Sequence, residues 1–160
     1  MIDFRSLHLS ALAAALLLAT ALPAIAQDST ATPRRDRLAS LVKLVDKDGD
    51  GAISAAEAEA FATSRFDRLD SDHKGYLTLE AFEAPLRRAI DNASEARRPQ
   101  LERALPRAEA AFKAINKAGD GHLTKDEFLA DSRARFAAAD TDKDGKLTLD
   151  ELRHAHGHAF

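Results

Sequence analysis

The 160-residue chain contains no cysteine, and its single methionine is its first residue. Without cysteine there is no disulfide framework and no lipid-bearing terminal thiol, so stability has to come from helix packing and from whatever the chain binds. Without internal methionine there is no Met-rich groove of the kind that flexible switch proteins use to grip targets. Catalytic constellations are also missing: histidines are scattered or terminal, and serines and threonines fall mostly at turns. No enzymatic activity is expected, and the net charge of −3 accompanies no expectation of a nucleic-acid partner. After residue 26 no long apolar run remains, so no stable membrane anchor is expected in the mature chain.

The one long apolar run spans Leu7 to Ile25 and ends in Ala24-Ile25-Ala26, a small-x-small cleavage pattern. It predicts a secretory signal peptide over residues 1–26 and a periplasmic or secreted, bacterial address. Asp3 offsets Arg5 in the segment before it, which leaves an uncleaved anchor as the alternative; the short apolar core and Pro23 favour cleavage. Residues 27–33 read as a disordered polar tail, and residues 34–160 as a single domain.

What is abundant is acidic loops. Asp140, Asp142 and Asp144 stand at positions 1, 3 and 5 of a twelve-residue stretch, Gly145 at 6, Leu147 at 8 and Glu151 at 12. Such a set of oxygens suits a hard cation that takes six to eight ligands, with the carbonyl of Lys146 at position 7 and Thr148 at 9 completing it. Residues 46–57 repeat the pattern with Asp46, Asp48, Asp50, the Ala52 carbonyl, Ser54 and Glu57. Two calcium sites are therefore expected, in loops 1 (46–57) and 4 (140–151).

Loop 2 (70–81) is degenerate, with Lys74 at position 5 and Ala81 at 12, and is expected to hold no metal. Glu80 lies one residue too early, about 100° around the helix. Loop 3 (116–127) is partial: Asn116, Asp120, the His122 carbonyl and Glu127 remain, but Ala118 occupies position 3, so a third and weaker site is expected.

Loops 1 and 2 begin 24 residues apart, as do loops 3 and 4, while loops 2 and 3 begin 46 apart. The segment between loops 1 and 2 is too short for two helices, so one helix must serve both, and the same holds between loops 3 and 4. A helix of about 15 residues is about 22 Å long and separates its loops. Two such helices side by side and antiparallel would pair loop 1 with loop 4 and loop 2 with loop 3. The rival pairing, 1 with 2 and 3 with 4, needs a break near Thr63-Ser64.

On these loops the chain resembles the EF-hand superfamily, as a bacterial secreted or periplasmic four-loop calcium-binding protein. The compact spacing resembles lanmodulin, whose hands pair first with fourth and second with third. Lanmodulin's loops carry Pro at position 2 and a carboxylate at 9, where this chain has Lys47 and Ser54, or Thr141 and Thr148. The resemblance implies an all-α fold of four helix-loop-helix units sharing helices, acting as a calcium buffer or sensor; a monomer is expected. The alternatives are a lanthanide or transition-metal carrier, or a calcium-modulated module that docks an unidentified envelope protein.

Three further stretches carry expectations. Residues 83–107 are Arg-rich and read as a solvated helical hairpin with Arg balanced by Asp91, Glu95 and Glu102. Pro85 is expected to interrupt the helix after loop 2 unless it falls in a first turn. His154, His156 and His158 read as a frayed helix end; metal binding by alternate imidazoles would need extended backbone. Phe61, Phe66, Phe82, Phe112, Phe128 and Phe136 are candidates to line a partner groove.

Overall fold

A computed structural model describes residues 34–157. The signal-peptide and tail assignments, and His158, lie outside the described residues. The fold is all-α with short bridges: α1 (Arg34–Val45), β1 (Ile53–Ser54), α2 (Ala55–Leu69), β2 (Tyr76–Leu77), α3 (Leu79–Asp91), α4 (Arg98–Glu102), α5 (Leu105–Ile115), β3 (Leu123–Thr124), α6 (Lys125–Ala139), β4 (Lys146–Leu147) and α7 (Leu149–Gly157).

Helix α2 runs unbroken through Thr63-Ser64, which removes the rival loop pairing. It starts on Ser54, whose side chain accepts from the Glu57 N–H while the Glu57 carboxylate accepts from the Ser54 N–H. This reciprocal box satisfies two donors that a helix start leaves orphaned. Thr124 and Glu127 build the same box for α6. In loop 2 only half of it survives, because Thr78 caps Ala81 and no carboxylate answers from position 12.

The two long helices pack antiparallel. Lys125 at the start of α6 pairs with Asp67 near the end of α2 at 2.8 Å, and Arg133 lies 3.9 Å from Glu59 near the start of α2. Exposed pairs of this kind contribute at most about 1 kcal/mol each; they report the register more than they hold it. The bridges follow from that register. β1 pairs with β4, placing Ile53 opposite Leu147, and β2 pairs with β3, placing Leu77 opposite Leu123. Loop 1 therefore sits on loop 4 and loop 2 on loop 3.

Each pair seeds a core. Leu41, Val42, Val45, Ile53, Ala139, Leu147 and Leu152 are buried together at the loop 1–4 end. Around loops 2 and 3 the core is larger, built on Phe66, Leu77, Phe82, Phe112, Leu123 and Phe128. Phe66 meets Phe128 edge-on at 5.7 Å, as Phe82 meets Phe112. The expected partner groove is thus corrected for these four rings: they are buried in the core, where aromatic side chains remove the most apolar surface from water. Phe61 and Phe136 are half-buried against the smaller core.

Two other expectations are corrected. Helix α3 continues straight through Pro85, because Phe82 and Leu86 on either side are buried and anchor it. The missing N–H leaves the Ala81 carbonyl without its helical donor. In the Arg-rich insert the ion pair is Arg87 with buried Glu83 at 2.6 Å. Asp91, Glu95 and Glu102 form no salt bridge among the described residues. Pro99 and Pro106 fall in the first turns of α4 and α5, where a missing donor costs nothing. Helix α7 carries through Gly157, so residues 154 and 156 lie on helical backbone, and His154 Nδ1 sits 2.9 Å from the Asp150 carbonyl.

Replacing Pro85 by Ala should restore the bond to Ala81 and raise stability by about 1 to 3 kcal/mol, less the entropy regained by the unfolded chain. Urea denaturation checks this; unchanged or lowered stability would mean that the proline ring itself packs into the core.

Candidate metal centre

Loop geometry starts from the backbone. Gly51 and Gly145 at position 6 adopt φ of 88° and 82°, a left-handed turn that costs glycine little. Position 4 needs the same region: Gly49 meets it easily in loop 1, whereas loop 4 uses Lys143 at φ 61° and loop 2 uses His73 at φ 55°. Sequence reasoning passed over this position, although its glycines were visible in loops 1 and 3.

These turns fold three carboxylates inward in two loops. One oxygen from each of Asp46, Asp48 and Asp50 lies within 4.8 Å of the others, as do oxygens of Asp140, Asp142 and Asp144. No third group of this kind occurs among the described residues. Backbone donors hold them: Asp46 accepts from Gly49 N–H at 2.6 Å and Gly51 N–H at 2.9 Å, and Asp140 accepts from Gly145 N–H at 3.0 Å. The Ala52 and Lys146 N–H groups donate to Asp50 and Asp144, respectively.

The position-12 carboxylates close each ring across the loop. Glu57 accepts from the Ser54 N–H at 2.9 Å, the Ser54 hydroxyl at 2.8 Å and the Lys47 N–H at 2.6 Å. Glu151 accepts from the Thr148 N–H at 3.0 Å and from the Thr141 N–H at 2.9 Å. The N–H of Ser54 foremost, then that of Lys47, pulls the Glu57 carboxyl down to about 2. The Thr148 N–H does most to bring Glu151 to about 2, against the opposing effect of burial. Ser54 and Thr148 at position 9 both spend their hydroxyls on this carboxylate.

One atom stands out in loop 4. Asp140 is only 9% exposed, and its Oδ1 is buried with no hydrogen-bond partner. A buried carboxylate oxygen left unmet is costly. Asp140 belongs to the cluster in which Asp142 and Asp144 each bring a carboxylate oxygen within 4.8 Å. An all-oxygen, carboxylate-rich donor set fits a hard divalent ion.

Loops 2 and 3 differ in kind. In loop 2 the Lys74 ammonium pairs with Asp72 at 2.7 Å, supplying the positive charge from within. Glu80 is exposed. In loop 3, Asn116 is buried and accepts from Gly119, Asp120 accepts from His122, and Glu127 caps α6. Tyr76 and His122, at position 7 of the two loops, lie ring to ring at 4.3 Å.

A family model described as an EF-hand domain pair matches residues 59–133, and one described as EF hand matches residues 42–62 and 133–155. The chain belongs to the EF-hand superfamily. The matches divide this EF-hand protein as its bridges do: the first spans loops 2 and 3, and the second covers loops 1 and 4 whole. Family and acidic clusters together point to binding of divalent metal.

A pH effect follows from the two glutamates. Their folded-state acidity lies near 2 against an ordinary 4.5, so the stability they lend is complete above about 4.5 and drains away as pH falls towards 2. In chelator, Glu57→Gln with Glu151→Gln should flatten the pH dependence of the unfolding midpoint in that window. If the double variant keeps the parent's slope, the hydrogen bonds drawn above do not form in solution.

Proposed function

We propose that this protein is a secreted or periplasmic calcium binder with two principal sites, in loops 1 and 4. A weaker site lies in loop 3, through Asn116, Asp120, the His122 carbonyl and Glu127, and loop 2 binds none. The observation that carries this reading is the unpartnered, buried Oδ1 of Asp140, whose carboxylate clusters with those of Asp142 and Asp144. Asp46, Asp48, Asp50, Glu57 and the Ala52 carbonyl would hold one ion; Asp140, Asp142, Asp144, Glu151 and the Lys146 carbonyl would hold the other. Ser54 and Thr148 contribute by fixing the glutamates. Calcium would supply the positive charge these shells lack.

The chain's own part is preorganisation. Backbone N–H groups aim each carboxylate before any ion arrives; the Ser54–Glu57 box ties Glu57 to the start of α2, and the reciprocal bonds between Thr148 and Glu151 tie Glu151 to the start of α7. Four carboxylates in each intact loop against two in loop 3 set the expected order of affinity. With Phe66, Phe82, Phe112 and Phe128 already committed to the core, the buffer role is favoured over a sensor that opens an aromatic groove. The envelope or extracellular address rests on residues 1–26 of the sequence.

Calorimetric titration of the mature, metal-stripped protein should give two calcium ions at roughly micromolar affinity or tighter, and a third far weaker. Restoring loop 2 with Lys74→Asp and Ala81→Glu should add one strong ion. Lanthanum binding orders of magnitude tighter than calcium, with calcium binding only near millimolar, would replace this reading with a lanthanide carrier.

A further inference from the structure

The two intact loops look interchangeable in sequence, yet the structure makes them unequal. Position 7 of each loop stands at the bridge, beside the opposite loop. In loop 1 it is Ala52, which carries nothing across. In loop 4 it is Lys146, whose ammonium reaches over the β1–β4 bridge to Oδ2 of Asp50 at 2.6 Å. Asp50 is the position-5 carboxylate of loop 1. The same ammonium also feels Asp48, and Asp144 of its own loop more weakly. No salt bridge to Asp140, Asp142 or Asp144 occurs among the described residues.

Loop 1 thus contains, by loan from loop 4, what degenerate loop 2 contains on its own: an ammonium on a loop carboxylate, Lys74 on Asp72 at 2.7 Å. In loop 2 the lysine is part of the loop and the position-12 ligand is gone. In loop 1 the carboxylates are complete and the competing cation is tethered from outside. Loop 4 shows the opposite condition, with a buried oxygen of Asp140 unmet.

We propose that Lys146 is an affinity-setting residue that holds loop 1 below loop 4, so that calcium fills loop 4 first and loop 1 second. The proposal rests on the calcium reading above. A metal at loop 1 must share Asp50 with the ammonium or displace it, and in either case two positive centres face each other across a few ångströms. At surface dielectric and ordinary salt, removing one such charge corresponds to an affinity change on the order of three- to tenfold. The Lys146 side chain is about half exposed and is no part of the core, so its replacement leaves the core intact.

The experiment separates the loops by silencing one at a time. In Glu151→Gln, which reports loop 1, adding Lys146→Gln should tighten calcium about three- to tenfold, and Lys146→Arg should not. In Glu57→Gln, which reports loop 4, the same Lys146→Gln change should do clearly less. The gain at loop 1 should shrink as salt rises. No tightening at loop 1, or equal tightening at both loops, overturns the proposal, the second because it reduces Lys146 to a general contribution to net charge. Stoichiometry of the parent in the same titrations tests the calcium reading separately: a parent that binds two ions with no response to Lys146→Gln retains that reading and loses this one.

Discussion

The structure depends on one constraint: a single unbroken helix must serve two loops at once. Helix α2 begins at the capping box of loop 1 and ends at Asp70, the first residue of loop 2; α6 does the same between loops 3 and 4. Fifteen residues put the loops at its ends about 22 Å apart. Neither loop can reach the other on its own helix, and an isolated loop leaves the backbone groups and the apolar side chain of position 8 uncovered. Laying α2 against α6 in opposite directions solves both problems. Each end of the pair then presents two loops that complete each other's two-residue bridge.

The consequence is a molecule with two ends of different character. Loops 2 and 3 have lost ligands but kept what makes a bridge, with Leu77 and Leu123 fully buried and opposite each other. Tyr76 and His122 add a ring-to-ring contact between the two loops. Lys74 neutralises Asp72 so that loop 2 carries little unmet charge. This end also receives α3 to α5 and the larger aromatic core. Loops 1 and 4 keep full acidic rings and a smaller core. The two loops poorest in carboxylate ligands therefore share one end, and the two richest share the other.

What could be read from the chain beforehand followed from residue type and spacing. Carboxylates at odd loop positions, glycine at position 6, and the short gap between loops were enough for the four loops, the shared helices and the 1–4, 2–3 pairing. Features that depend on what a side chain meets in three dimensions were not legible. Pro85 looked like a helix stop because local rules weigh the missing N–H, but burial of Phe82 and Leu86 outweighs one lost bond. The phenylalanines looked available because a helical stripe says which face is apolar, not what covers it. Glu83 found Arg87 where more exposed acids had been expected to serve. Lys146 was read for its carbonyl alone; only the bridge register shows its ammonium lying over the other loop.

That register bears on how the two acidic loops communicate. Besides the strand pairing, the Ala55 N–H donates to the Gly145 carbonyl at 3.2 Å, joining the first residue of α2 to the turn of loop 4. Any change in the shape of one loop is therefore transmitted through main-chain bonds a few ångströms long. Helices α2 and α6 are held at their far ends by the bridged loops 2 and 3 and the aromatic core. Helices α1 and α7 are different. They join the domain through loops 1 and 4 and the smaller core, with Leu41, Val42 and Val45 of α1 and Leu152 of α7 buried there. Helices α1 and α7 are thus fastened at the acidic end, on the same loops and small core that carry the two carboxylate clusters.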